Sequence, residues 1–170
     1  MIGGGAIGVG AALSLRAQGA TEITVIEPNA LRRETLEAID GFDVVAPDSH
    51  QMPEAGSVDC VIDGVGYAAT RDTACTLVRQ GGVIAHIGLG EATGGLDVRR
   101  MTLQEITFIG TYTYTTQDFV ETAQAIFDGR LGALDWIETR PLAAGQSAFV
   151  DIRAGQVASP KVVLIPEHAE

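Results

Sequence analysis

Two cysteines, three histidines and one tryptophan in 170 residues narrow what this chain can be. Cys60 and Cys75 match no zinc-ligand spacing, and Cys60 lies inside an apolar, β-rich run. A disulfide framework and a metal centre are therefore not expected, and the thiols suit a reducing cytoplasm. Cations are scarce, with 11 Lys and Arg against 22 Asp and Glu and a net charge of -11. That balance argues against binding to nucleic acid or to an anionic membrane. No apolar run approaches the roughly 20 residues needed to span a bilayer. The apolar stretch to Ala20 lacks the leading Lys or Arg of a signal peptide. Aromatics are only 5% of the chain, so Val, Ile, Leu and Ala must fill the core. No internal repeat, low-complexity tract or heptad pattern is present.

What is abundant is apolar residues, at 46%, and glycine, at 21 residues. The length suits one domain with an appendage. Strand and helix signals alternate, the mark of a parallel sheet with crossover helices. Ala6 to Gln18 is predicted as a helix stopped by Gly19. Ile23–Glu27 follows as a strand, and Asn29 caps a helix from Ala30 to Ile39. Phe42–Val45 and Val58–Asp63 are strands, separated by a loop. A helix through Arg79 leads by Gly81-Gly82 into the strand Val83–Gly88. A Gly-rich loop to Asp97 precedes a short helix, Val98 to Leu103. Ile106 to Tyr114 is predicted as a sixth strand, and Thr116 to Phe127 as a helix. An extended piece at Trp136–Leu142, a helix at Gln146–Ala154 and a strand at Lys161–Ile165 complete the chain. The expected fold is α/β, a doubly wound parallel sheet of Rossmann type in the order 3-2-1-4-5-6, counting Met1-Ile2 as a truncated first strand. Residues 1–114 form this unit, and residues 115–170 form a helix and strand appendage.

The chain opens Met1-Ile2-Gly3-Gly4-Gly5-Ala6-Ile7-Gly8. Gly3, Gly5 and Gly8 form a Gly-x-Gly-x-x-Gly turn. The first glycine makes the tight turn, the second lets a pyrophosphate approach the backbone, and the third lets helix and strand pack closely. Alone this turn is weak in so glycine-rich a chain. Glu27 strengthens it, because an acid at the end of the next strand, about 20 residues on, can accept hydrogen bonds from an adenosine ribose. Its carboxylate repels a 2′-phosphate, so NAD is favoured over NADP. Arg32 and Arg33 complicate the choice, since an Arg nearby can hold that phosphate.

Taken with Val58–Gly66, Gly81–Leu89 and Pro160–Leu164, this turn resembles the coenzyme half of the medium-chain dehydrogenase/reductase family, in its zinc-dependent alcohol and polyol dehydrogenase branch. The resemblance covers nearly the whole chain. It implies cofactor contacts at Gly3, Gly5, Ala6, Ile7 and Gly8. Val65 would border the adenosine, while Ile87 and Leu89 would line the nicotinamide pocket. Thr111 and Thr113 would lie near the carboxamide, and Lys161 near the pyrophosphate. Core packing is the competing account of Ile87 and Leu89, and a solvated strand end that of Lys161. His86, between Ala85 and Ile87, is expected to be a hydrogen-bonded structural residue; His50 and His168 carry no role. No catalytic residue is expected in this chain.

The family's catalytic zinc, with its Cys and His ligands, belongs to a domain that precedes the glycine turn. Nothing here supplies it. The chain is therefore expected to begin where the cofactor half of a longer enzyme begins. Residues from about Thr115 would then lack their usual partner and expose Phe119, Ile126, Trp136 and Phe149. The edge strand 106–114 is expected to pair two copies into a homodimer. A non-catalytic, redox-sensing NAD(H)-binding module is an alternative reading. A methyltransferase fits Val58–Gly66 and the Lys161 strand poorly.

Overall fold

In the computed structural model, which describes residues 1–166, the predicted alternation folds into a parallel sheet covered on both faces. Its elements are α1 (Ala6–Ala17), β1 (Thr24–Ile26), α2 (Ala30–Glu37), β2 (Asp43–Val45), β3 (Val58–Asp63), α3 (Ala68–Leu77), β4 (Val78–His86), α4 (Val98–Leu103), β5 (Thr107–Gly110), α5 (Thr116–Phe127), β6 (Ile137–Pro141), α6 (Gly145–Arg153) and β7 (Lys161–Ile165).

Ile2 is the hinge of the arrangement. It bridges Ile26 of β1 on one side and Asp63 of β3 on the other, both in parallel. Its amide donates to the Ile62 carbonyl at 2.8 Å, and its carbonyl accepts from Gly64 at 3.0 Å. The pairings thus run β2, β1, Ile2, β3, β4, β5, with the first strand reduced to a single bridging residue. Because side chains alternate across a strand, neighbouring residues enter different cores. Met1, Ile23 and Val25 join one cluster with Val9, Ala12 and Leu13 of α1 and Leu36 of α2. Ile2, Ile26, Val61 and Ile84 join the other with Ala74, Cys75 and Leu77 of α3. In α1 the buried positions fall at the helical spacing that makes one apolar stripe. Helices α1 and α3 thus lie on opposite faces, with the chain's start between them. A crevice opens at such a switch point, beyond the carboxyl ends of the strands.

The Met1 ammonium donates to the Thr24 carbonyl at 2.7 Å. Burial lowers its pKa from 8.0 to about 6.

Many element ends differ from those predicted by a residue or two, and those flanking β4 and closing β5 differ for a clear physical reason. Helix α3 ends at Leu77, not Arg79, because the buried Val78 turns extended and pairs with Val58 as the first residue of β4. The register then jumps, Cys60 facing Val83, so Arg79–Gly82 bulge out of the ladder. Strand β5 stops at Gly110 instead of Tyr114. Its partner β4 ends at His86, which pairs with Gly110, so nothing remains for Thr111–Tyr114 to pair with.

The region after β5 is not wholly outside the core. Ala125 and Leu131 are buried in the α1 cluster, with Leu134 and Trp136 packed against it. Trp136 is half-buried, against the expectation of an exposed side chain, whereas Phe119, Ile126 and Phe149 are exposed. Strands β6 and β7 form a separate parallel pair from Ile137↔Lys161 to Pro141↔Ile165, with α6 as their crossover. Arg140 ties this unit together, bonding Glu138 at 2.5 Å and Asp151 at 2.7 Å. The predicted absence of a role for His168 falls outside the described residues. No helix among the described residues is long and apolar enough to cross a membrane.

Candidate dinucleotide site

The glycine turn lies at the carboxyl end of the Ile2 bridge, between β1 and β3. Gly3 has φ +91°, and a Cβ there would lie 2.5 Å from a Val65 methyl. Both facts require glycine. A Cβ on Gly8 would overlap the Gly3 carbonyl, so only glycine lets α1 start this close to the strand. Gly5 is different. Its φ of -74° is ordinary, and an added Cβ would meet nothing within 4 Å. The backbone there faces open space.

Gly5 caps α1 without a capping side chain, and the first helical bond runs from Val9 to the Gly5 carbonyl at 2.9 Å. The N–H groups of Ala6, Ile7 and Gly8 precede that ladder. With the helix dipole they form an anion-binding end suited to a pyrophosphate. Ile7 is exposed beside them.

Glu27 is buried at the other wall of the turn, only 3% exposed. One carboxylate oxygen accepts from Gly4 N–H at 2.8 Å and the other from Asn29 N–H at 2.8 Å. Arg32 approaches to 3.5 Å, placed by α2, whose first turn is capped by Asn29. Arg33 instead donates to the carbonyls of Glu27 and Pro28.

Val65, half-buried, touches the glycine turn, and its loop is set by Asp63. That carboxylate is fully buried and accepts from Val65 N–H and Gly66 N–H, each at 2.9 Å, and from the Thr70 hydroxyl at 3.0 Å. The Asp63 carbonyl accepts from Ile87 and Gly88. One residue therefore fixes both loops where cofactor walls were predicted. Asp63 is not among the residues expected to form the site. The signal was an Asp two and three residues before N–H groups in a Gly-Val-Gly turn, an Asx-turn spacing.

Leu89 is 77% exposed, which removes core packing as its explanation, while Ile87 is half-buried. Lys161 is exposed at the start of β7, and it shares a cavity of about 330 Å³ with Ala6, Phe149, Ile152 and Leu164. The fold thus brings Lys161 to the start of α1 from 155 residues away in sequence (161 − 6). Thr111 and Thr113 are not on a strand. Thr111 N–H bonds the His86 carbonyl at 2.9 Å, and both threonines lie in exposed chain beyond β5. A second cavity, of about 370 Å³ between α3 and α4, contains none of the predicted residues.

His86 departs from expectation. It ends β4 instead of lying mid-strand, its ring is 5.5 Å from that of Phe108, and its buried Nε2 has no hydrogen-bond partner. Asp63, at 3.6 Å, is its nearest ionic neighbour. The facing oxygen, Oδ2, accepts from the Thr70 hydroxyl at 3.0 Å.

No three His, Cys, Asp or Glu side chains come together as a metal-binding group among the described residues. Cys75 is buried, and burial pushes the Cys60 thiol above its usual pKa, opposing the thiolate a metal requires.

Residues 6–128 match the family described as zinc-binding dehydrogenase. The chain is 29% identical over 143 residues to the Saccharomyces cerevisiae protein described as "Probable diacetyl reductase 2, (R)-acetoin forming", covering 77% of this chain and 34% of that protein. Its fold is similar to that of acetophenone reductase from Geotrichum candidum in complex with NAD, with a TM-score of 0.80 and 23% identity over 93% of this chain and 45% of that one. It is also similar to a zinc-binding dehydrogenase from Sinorhizobium meliloti bound to NADP, with a TM-score of 0.76 and 21% identity over 86% and 46% of the two chains. The chain therefore spans between a third and a half of each of these proteins. With residues 6–128 matched to its model, and with a glycine turn, a buried Glu27 and a parallel sheet, the chain belongs to the zinc-binding dehydrogenase family.

Proposed function

We propose that this chain is the NAD-binding portion of a cytoplasmic alcohol or polyol dehydrogenase. In the complete enzyme, the dinucleotide would serve as hydride acceptor for oxidation of a secondary alcohol to a ketone, and in its reduced form as donor for the reverse reaction. The observation that carries this reading is the open backbone at Gly5. It lies at the start of α1, beside a buried Glu27 held 2.8 Å from the Gly4 amide.

The nicotinamide dinucleotide supplies the hydride acceptor when bound; the residues of this chain hold it. The N–H groups of Ala6, Ile7 and Gly8 take the pyrophosphate, with Lys161 across the cavity as a counter-charge. Glu27 accepts from the adenosine ribose through lone pairs that its two backbone partners leave free, favouring NAD over NADP. Ile87 and Leu89 exclude water from the nicotinamide face, and Thr111 and Thr113 orient its carboxamide. The zinc of the family name finds no donor set here, so the alcohol oxygen is polarised by groups outside the described residues. Residues 1–114 form the cofactor unit. Residues 115–170 form the appendage, whose exposed apolar side chains among the described residues, such as Phe119 and Phe149, dock on the unit that carries the catalytic groups.

Titrating the 170-residue chain with NADH while following nicotinamide fluorescence is expected to give saturable binding, with no turnover of any alcohol by the chain alone. Absence of saturation would overturn the assignment. The edge 106–114, although only Thr107–Gly110 forms ladder bonds, is proposed to pair two copies. Light scattering is expected to return twice the mass of the chain, and a monomer at high micromolar concentration would remove the dimer.

A further inference from the structure

Residues 87–97 form no regular structure and are largely exposed, yet they carry the nicotinamide-side wall. Four of them are glycines. Holding such a segment in one shape costs about 1–2 kcal/mol of backbone entropy per residue. Something must offset that cost. Five contacts hold its near end: Ile87 N–H and Gly88 N–H to the Asp63 carbonyl at 2.9 and 3.0 Å, Gly90 N–H to the Val65 carbonyl at 3.1 Å, Glu91 N–H to the Gly66 carbonyl at 2.8 Å, and Ala68 N–H to the Glu91 carboxylate at 2.8 Å.

The rest comes from one side chain. Arg71, on α3, is only 5% exposed. Its Nε donates to the Gly94 carbonyl at 2.6 Å, and Nη2 to the Thr93 carbonyl at 2.5 Å. Nη1 donates to the Gly66 carbonyl at 2.8 Å and the Glu91 carbonyl at 3.1 Å. Every acceptor is backbone carbonyl, so the guanidinium reads the path of the chain. It also joins the Val65–Gly66 turn to the 91–94 segment, the two loops that Asp63 fixes from beneath. A planar fork with five N–H groups can span four carbonyls; the Lys ammonium, with three donors, cannot.

We propose that Arg71 is the positioning residue for the nicotinamide half of the site. By pinning 91–94 to Gly66, it keeps Ile87 and the exposed Leu89 turned toward the ring instead of collapsing onto the sheet. This rests on the dinucleotide assignment above.

The test compares NADH with ADP-ribose, which shares the adenosine and pyrophosphate but lacks nicotinamide. In the Arg71→Gln chain, NADH affinity is expected to fall roughly tenfold or more, as when a supporting shell is loosened. ADP-ribose affinity is expected to stay within about twofold, and the fluorescence gain of bound NADH to diminish. Arg71→Lys, which keeps the charge but not the fork, should fall between. Unchanged NADH binding in Arg71→Gln overturns the proposal. So does equal weakening of both ligands in both variants, which marks a general folding role. If the native chain binds neither ligand, the dinucleotide assignment itself fails, and the role of Arg71 with it.

Discussion

Replacing Gly5 with valine is expected to weaken NADH binding by at least about 30-fold, or ~2 kcal/mol, while barely moving thermal stability. A side chain there meets no protein atom within 4 Å, and the φ of -74° and ψ of -175° suit a β-branched residue. The only costs to the fold are a poorer helix cap and its small loss of stability, about 1 kcal/mol or a melting shift of ~2–4 °C. The space the isopropyl group enters is where a pyrophosphate must sit to reach the N–H groups of Ala6, Ile7 and Gly8. Gly8→Ala is the converse. Its methyl would overlap the Gly3 carbonyl, which belongs to the backbone and cannot rotate away. Helix α1 must then back off the sheet, at a cost of about 3 kcal/mol, with melting lowered by ~6–12 °C and binding lost as a consequence. Calorimetry and an NADH titration on both variants separate the two kinds of glycine. If Gly5→Val bound NADH as tightly as the native chain, the pyrophosphate would have to lie elsewhere.

That contrast shows how far the sequence alone could go. The spacing of Gly3, Gly5 and Gly8 placed the turn, but only the fold shows which glycine is held by sterics and which is left open. Elements set by a local apolar pattern were legible. Helix α5 runs from Thr116 to Phe127 as predicted, its start marked by Thr115 and Asp118 exchanging capping bonds. Strand β7 and helix α4 likewise keep their predicted bounds. Boundaries set by a distant partner were not. Val78 joins a strand because Val58 is opposite it, and β5 stops where β4 runs out. No local residue announces either event. Asp63 could have been found from its spacing to the turn. Arg71 could not, since an arginine in the first turns of a helix reads as solvated charge, and its acceptors at Glu91, Thr93 and Gly94 lie 20 or more residues away.

Glu27→Gln should change which dinucleotide the site prefers. The two carboxylate oxygens of Glu27 accept separate backbone donors, Gly4 N–H and Asn29 N–H. A carboxamide offers one acceptor and one NH₂, so one N–H is left facing another in a buried place, at a cost of about 1–3 kcal/mol. That loss loosens the Gly4 end of the turn, which the Glu27 carboxylate holds. NADH affinity is therefore expected to fall roughly tenfold, ~1.4 kcal/mol. NADPH should respond differently. Removing the carboxylate removes its repulsion of a 2′-phosphate and frees Arg32, which lies 3.5 Å from Glu27 and has a buried Nε with no partner. A guanidinium so placed can take a phosphate through two parallel bonds. The ratio of NADPH to NADH affinity should then rise by at least about tenfold. Adding Arg32→Ala to the Glu27→Gln chain should return NADPH to weak binding while leaving NADH where the first substitution put it. The coupling between the two positions measures the exchange of ribose for phosphate. A ratio that stays fixed through both substitutions would mean that neither side chain faces the adenosine ribose, and the proposal that Glu27 favours NAD would fall.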